Sequence, residues 1–273
     1  GRYLIEKLSK RKDMNIFAPP RKLVDLLNKK DISDFLSTCN VDVVIYLASI
    51  GGVRGIEDPP NVLYTNLRMF LNTIKALDEA TNDIQFVFLS SGAVFDKSRS
   101  ISNITSSHRI PRDDYGFFKY FCESYILDHL GNYVILRPFG VYGLGERGTR
   151  FPSYAIARAL ERQDIEINQD VKFGYVYVKD LVKIIEFYTT HKTQNRVVNV
   201  SGNPVMISSL ARMVRGLVDK NIRIIINNKG VGREYTGSNK ALQDEMSLSR
   251  YKFAFTPHKE ALKEMIEDYA KIY

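Results

Sequence analysis

The chain has 273 residues, room for one large domain or for a domain with a smaller companion. A hydrophobic fraction of 44% can fill a sizeable core and weighs against disorder, while apolar runs such as Val41 to Ser49 are far too short to span a bilayer. Lys plus Arg (39) exceed Asp plus Glu (31), and the resulting +8 favours anionic ligands; the cations are dispersed without a nucleic-acid-binding motif, so neither nucleic acid nor a membrane is an expected partner.

Strand-like and helix-like patterns alternate along the chain. Arg2 to Leu8 has amphipathic helical spacing. Met14 to Ala18 is a short apolar run stopped by Pro19 and Pro20, which reads as a strand and its exit. Ile32 to Ser37 is a short helix, and Val41 to Ala48 is a β-branched run of the kind buried on both faces of a parallel sheet. Pro60 to Glu79 is a long helical pattern and Gln85 to Ser91 another buried strand. Asp113 to Leu130 is helical, and Tyr133 to Arg137 is a strand. This rhythm predicts an α/β fold with a parallel, doubly wound sheet.

After Gly148 the pattern changes. Arg150 to Leu160 is a helix, Asp164 to Val178 holds short strands, and Asp180 to Thr189 is helical. Val197 to Val200 is a strand that rejoins the sheet, and Ser208 to Val218 and Ala261 to Tyr269 are helices around the strand Arg223 to Ile226. The expected division is a main domain of residues 1–149 and 174–201 and a smaller α/β lobe of residues 150–173 and 202–273. The lobe would form a lid over the crevice at the carboxyl ends of the strands. Cys39, Cys122 and four scattered His suggest neither a disulfide framework nor a metal site. A basic start with no apolar stretch behind it gives no sign of a secretory leader, and a reducing cytoplasm is the expected compartment.

The stretch Tyr115-Gly116-Phe117-Phe118-Lys119 carries the chemistry. On a helix, i and i+4 share a face, so a phenol and an ammonium point into one cleft. The ammonium stabilises phenolate and lowers the Tyr pKa towards neutrality. Such a Tyr can exchange a proton with a substrate oxygen as hydride moves. The spacing alone is common; its surroundings make it specific. One loop ahead, the strand through Phe86 and Phe88 ends in the hydroxyls of Ser90 and Ser91, and a hydroxyl there can hydrogen-bond the same substrate oxygen. After the Tyr helix, Tyr133 to Gly143 is a strand ending in an Arg-Pro turn. With Ser-Ser-x-x-Val-Phe, Tyr-x-x-x-Lys and Leu-Arg-Pro-x-x-Val-Tyr-Gly in this order, the chain resembles the extended short-chain dehydrogenases/reductases, the NAD-dependent epimerase/dehydratase family.

The resemblance implies a Rossmann-type sheet with a substrate-binding lobe. It implies that Ser91, Tyr115 and Lys119 are catalytic and that Lys119 also reaches the nicotinamide ribose. Cofactor contacts are implied for Leu47, Ala48, Ser49, Asn66, Pro138 and Val141, and substrate contacts for Ser91, Gly92, Ala93 and Gly140. Such a fold opens with a strand and a glycine-rich turn. This sequence opens on a helix, so Gly1 is expected to be the last glycine of that turn, with roughly a dozen residues missing before it. Ala18-Pro19-Pro20-Arg21-Lys22 stands where an acid would hold the ribose hydroxyls of NAD; Arg21 and Lys22 favour the 2′-phosphate of NADP instead. NADP(H) is therefore the expected cofactor, with NAD(H) as the alternative.

Among subfamilies, Phe17 to Ala48 and Gly51-Gly52-Val53 look like the dTDP-4-dehydrorhamnose reductase and GDP-fucose synthase branch. The synthases epimerise with a Cys two residues after the catalytic Ser; Ala93 stands there and disfavours that reaction. Gly92-Ala93 also replaces the acidic pair of dehydratases. Phe173 stands seven residues before Asp180, where 4-epimerases commonly carry Arg. The expected activity is reduction of a 4-keto nucleotide sugar, with a 4-epimerase that retains NAD as the rival. A dinucleotide-binding sensor or scaffold without turnover is the non-enzymatic alternative. Arg150, Arg233 and Lys240 of the late segments suit the substrate diphosphate. The resemblance further implies a homodimer through the helices Pro60 to Glu79 and Asp113 to Leu130, where Phe118, Phe121 and Tyr125 form an apolar stripe in need of a partner.

Overall fold

Hydrophobic periodicity sets the order of the elements. The computed structural model describes residues 1–52, 56–80, 83–104 and 109–271. The chain begins with α1 (Arg2–Leu8), α2 (Lys29–Thr38), β1 (Val43–Tyr46), α3 (Val62–Asp78), β2 (Gln85–Leu89) and a single 3-10 turn (Gly92–Val94). It continues through β3 (Ile101–Ile104), α4 (Asp114–His129), β4 (Tyr133–Pro138), β5 (Gly140–Tyr142), α5 (Phe151–Leu160), β6 (Ile165–Asp170), β7 (Lys172–Phe173) and β8 (Tyr175–Tyr177). The last third holds α6 (Val178–Thr190), β9 (Val197–Val200), β10 (Val205–Met206), α7 (Ile207–Val218), β11 (Ile224–Val231), β12 (Tyr235–Gly237), α8 (Lys240–Leu248) and α9 (His258–Tyr269).

Two units result. One comprises Gly1–Asp96, His108–Arg137 and Ile184–Val198; the other comprises Lys97–Ser107, Pro138–Lys183 and Asn199–Tyr273. The first carries the sheet β1-β2-β4-β9, in which each strand lies beside its predecessor. Val43 stands opposite Gln85 and Phe86 opposite Tyr133, both pairings parallel. Parallel neighbours need crossover connections, and α3 and α4 lie in those between β1 and β2 and between β2 and β4. The core joins Phe86 and Phe88 of β2 to Phe70 and Ile74 of α3 and to Phe118, Cys122 and Ile126 of α4. The rings of Tyr46, Phe70, Phe86 and Phe88 lie 5.8–6.4 Å apart between centroids. The second unit has the sheet β10-β7-β12-β3 and the pairs β11-β6 and β5-β8. Its core is packed by Ile156 and Ala159 of α5, Leu210 and Val214 of α7, and Leu262 and Met265 of α9.

Three expectations need correcting. Met14 to Ala18 forms no strand. A strand exists only by pairing; β1 bonds β2 alone and ends the sheet, so this segment has no ladder neighbour among the described residues. For the same reason the run Val41 to Ala48 shortens to Val43–Tyr46, of which only Tyr46 is buried. Finally, the stripe on α4 is largely satisfied within the chain. Phe118 is fully buried, and Tyr125 packs edge-on against Phe70 at 6.0 Å and stacks on His129 at 4.0 Å. Among the described residues, no helix is long and apolar enough to cross a membrane.

Candidate active site

β2 leads directly into Ser90 and Ser91. Ser91 is extended and caps the 3-10 turn, its Oγ accepting from the Ala93 amide at 3.1 Å. α4 begins in the same way, with Asp113 accepting from the Gly116 amide at 3.0 Å. Gly116 lets this helix approach the serine turn, because a Cβ there would stand 2.7 Å from the Ala93 carbonyl oxygen. Tyr115, the preceding residue, is half-buried and is thereby brought beside the turn that Ser91, Gly92 and Ala93 form.

One helical turn on, Lys119 is 2% exposed. Its Nζ donates to the Leu89 carbonyl at 2.8 Å and lies 5.8 Å from the centre of the Tyr115 ring. Burial pushes this ammonium down to about 8, opposed by Cys122 and Glu123. Burial also raises the Cys122 thiol well above its ordinary value, so near neutral pH the opposing negative charge is that of Glu123. A cation of lowered pKa beside a phenol is the arrangement that proton exchange requires.

The loop after β1 completes this side of the unit. Leu47 and Ala48 are half-buried and Ser49 is exposed. Asn66 is 2% exposed; its Nδ2 donates to the Ile50 carbonyl and its Oδ1 accepts from the Ile50 amide, both at 2.8 Å. The helical asparagine thus clamps the loop rather than facing solvent. Asp58 accepts from the Gly52 amide at 2.8 Å. Gly51 and Gly52 have φ of +77 and +69, and a Cβ on Gly52 would stand 2.4 Å from Cδ2 of Tyr115. Val53 lies outside the described residues. Gly52→Ala should therefore destabilise the protein by about 1–3 kcal/mol, the scale of left-handed strain at a residue with a Cβ. It should also lower kcat more than it changes the cofactor KM, because the clash falls on the phenol. Denaturant unfolding and steady-state kinetics check this; an unchanged kcat would mean that the ring does not depend on this packing.

The remaining expected residues are dispersed. Gly1 is the exposed N-cap of α1. Arg21 and Lys22 are exposed, and Arg21 stands 3.4 Å from Asp25. In the second unit, Pro138 ends β4 while Gly140 and Val141 open β5. A Cβ on Gly140 would press the Tyr175 ring at 3.1 Å. Arg150 is the N-cap residue of α5 and makes no side-chain cap bond. Arg233 is exposed between β11 and β12, and Lys240 opens α8 with its Nζ 2.6 Å from Asp244.

Two acidic groups went unnoticed in the sequence. Glu123 is buried, accepts from Ser90, and receives Nε of Arg137 at 2.9 and 3.0 Å on its two oxygens. The Lys119-x-x-x-Glu123 spacing, a second i, i+4 step on the same helix, was the available signal. Glu146 accepts from Ser153 Oγ at 2.6 Å, and burial pushes its carboxyl up to about 7. Among the described residues, no group of three or more His, Cys, Asp or Glu is arranged to hold a metal ion.

Comparison with known proteins bears on the family and the fold. Residues 1–201 match the NAD dependent epimerase/dehydratase family. A UDP-glucose 4-epimerase of Mycoplasma pneumoniae is 30% identical over 104 residues, which is 37% of this chain; the match spans only 31% of that protein's length. Among solved structures, RMD from Pseudomonas aeruginosa complexed with NADPH superposes with a TM-score of 0.81 at 22% identity, covering 100% of this chain and 94% of that one. A GDP-mannoheptose C4 reductase from Campylobacter jejuni with NADP bound gives 0.76 at 18% identity, covering 99% and 94%. At these identities the structural likenesses establish the fold, a Rossmann-type α/β architecture.

Proposed function

Because this chain belongs to the NAD dependent epimerase/dehydratase family, we propose that it is an NADP(H)-preferring reductase of a 4-keto nucleotide sugar. The observation that carries the reading is the convergence at the end of β2: Lys119 on the Leu89 carbonyl, its ammonium 5.8 Å from the Tyr115 ring, and the Ser91 turn against Gly116. A dinucleotide fits this surroundings, since the clamped loop leaves Leu47 and Ala48 half-buried and Ser49 exposed beside β1. When bound, it supplies the hydride. Tyr115 delivers the proton to the C4 oxygen, and Ser91 orients that oxygen by a hydrogen bond. Lys119 stabilises the phenolate left behind; with three donor hydrogens and one used by Leu89, it can also reach a ribose hydroxyl.

Reduction is favoured over epimerisation by Ala93 in place of the synthase cysteine and by Phe173 in place of the 4-epimerase arginine. The partial match to a UDP-glucose 4-epimerase favours the rival reading, in which the same residues serve a retained NAD. Stoichiometry separates them: a reductase oxidises one NADPH for each product formed, whereas an epimerase interconverts 4-hydroxy sugars without net consumption. Arg150 and Arg233 are the proposed diphosphate contacts of the second unit; Lys240, already paired with Asp244, is the weaker member of the set.

The cofactor preference has its own test. Arg21→Ala with Lys22→Ala should weaken NADP binding by ~1.5–3 kcal/mol, the scale of charge-assisted bonds to a phosphate, and leave NAD binding nearly unchanged. The pairing of Arg21 with Asp25 places the effect towards the lower end. Equal weakening of both cofactors, measured by titration, would remove these residues from the 2′-phosphate.

A homodimer through α3 and α4 remains part of the proposal, now resting on Tyr64 (63% exposed) and Leu127 (48% exposed) rather than on the buried Phe118. Light scattering at micromolar concentration should give twice the chain mass, and Tyr64→Glu with Leu127→Glu should halve it. A monomer before substitution would end this part of the proposal.

A further inference from the structure

The proposed reaction centre stands on a polar knot that the reaction itself does not use. Ser90 is 3% exposed and donates to Glu123 Oε1, while Arg137 Nε lies 2.9 and 3.0 Å from the two carboxylate oxygens. The Arg137 guanidinium covers the Phe95 ring at 5.1 Å. Glu123 is therefore the point where three elements meet: the end of β2 through Ser90, the end of β4 through Arg137, and α4 through its own backbone. Two of these elements, β2 and α4, carry or adjoin a proposed reacting group. Ser91 is the next residue after Ser90, and Lys119 lies one helical turn before Glu123, at i, i+4 on the buried face of α4.

A buried ion pair adds little to stability compared with apolar side chains of the same shape, so stability alone is a weak reason for this one. We propose that Glu123 is the positioning residue of the centre: its carboxylate fixes the ends of β2 and β4 against α4 and places an anion one helical turn from Lys119. The inference rests on the reading of Lys119 as the cation that serves Tyr115. Tyr115, Cys122 and Glu123 share the helix of Lys119, whose Nζ meets the Leu89 carbonyl of β2 and lies 4.7, 5.8 and 5.1 Å from the ring centres of Phe88, Tyr115 and Phe118. Ser90 and Arg137 bond Glu123, and Tyr46 packs in the core that includes Phe118 and Cys122. Burial raises both the Cys122 thiol and the Tyr46 phenol, leaving both neutral near neutral pH. Glu123 is then the carboxylate that opposes the desolvation of Lys119.

The test reads Lys119 directly and needs no substrate. The Cε resonances of 13C-labelled lysine are titrated against pH in the intact protein, with Lys119 assigned by the signal lost in Lys119→Met. The expected midpoint is about 8 in the parent protein. Glu123→Gln keeps the shape and the bond to Ser90 but removes the charge; it should lower the midpoint by at least about half a unit, the direction that loss of a neighbouring anion requires. Glu123→Asp, which retains the charge, should restore part of the shift. A midpoint unmoved in a folded Glu123→Gln protein would overturn the proposal, as would an equal shift in both variants. Should Glu123→Gln fail to fold, Glu123→Leu combined with Arg137→Ala removes the same charge together with its partner; its Lys119 midpoint should also fall below the parent's, and an unmoved midpoint in that folded variant would overturn the proposal. A parent protein without reductase activity would sink the proposed function and leave this titration result standing.

Discussion

Tyr115→Phe should lower turnover at least ~10²-fold, and Lys119→Met should do the same, the scale of a general acid–base contribution. The first change removes one hydroxyl and leaves the ring, so the packing against Gly52 and the α4 backbone persist. The second removes an ammonium whose burial already costs it much of its affinity for a proton. Met fills a similar volume without a buried charge, so the protein should unfold at no lower denaturant concentration than its parent. A loss of turnover without a loss of stability separates chemistry from folding in both cases. Near-normal turnover in either variant would remove the proposed centre. Dinucleotide binding without turnover in the parent protein would favour the sensor or scaffold instead.

The largest stability effect is expected at Arg137. Arg137→Ala should cost about 3–5 kcal/mol, because it leaves a carboxylate uncompensated in the interior. The side chains are 16% and 5% exposed for Arg137 and Glu123, so solvent does little to screen the orphaned charge. Lys119, one turn away, offsets part of the loss and draws the expectation towards the lower end. The ring of Phe95 also loses its cover. Combining Arg137→Ala with Glu123→Leu should recover stability, since an apolar replacement removes the orphan rather than creating one. Denaturant midpoints read both variants. A cost below about 1 kcal/mol for Arg137→Ala, or a double variant less stable than the single, would show that the pair is not desolvated as the geometry implies.

Consecutive elements are the legible part of the fold: β2 and β4 read as apolar runs and α4 as a helix, and these elements carry or adjoin the proposed Ser91, Tyr115 and Lys119 and the Arg137-Pro138 turn. What escaped depends on partners distant in sequence. Met14 to Ala18 has the composition of a strand but, among the described residues, no neighbour to pair with. β3 and β12 are short, Ile101 to Ile104 and Tyr235 to Gly237; they pair with each other, and β12 also with β7. α8 offers just Leu242, Glu245 and Met246 as buried positions, too little for a visible apolar stripe. The clamp that Asn66 makes is not visible in the sequence, because the Ile50 backbone it bonds is sixteen positions away. Glu123 looked like any helical acid until folding brought Ser90 and Arg137 to it.

The central claim is that hydride reaches sugar C4 while Tyr115 supplies the proton. NADPH deuterated at nicotinamide C4 on the transferred face, incubated with a panel of 4-keto nucleoside-diphosphate sugars, tests it most directly. The predicted result is a 4-hydroxy product carrying one deuterium at C4, one NADP formed per product, and neither with Tyr115→Phe. Full retention of deuterium in the cofactor across the panel, under conditions where the protein binds NADPH, would contradict it.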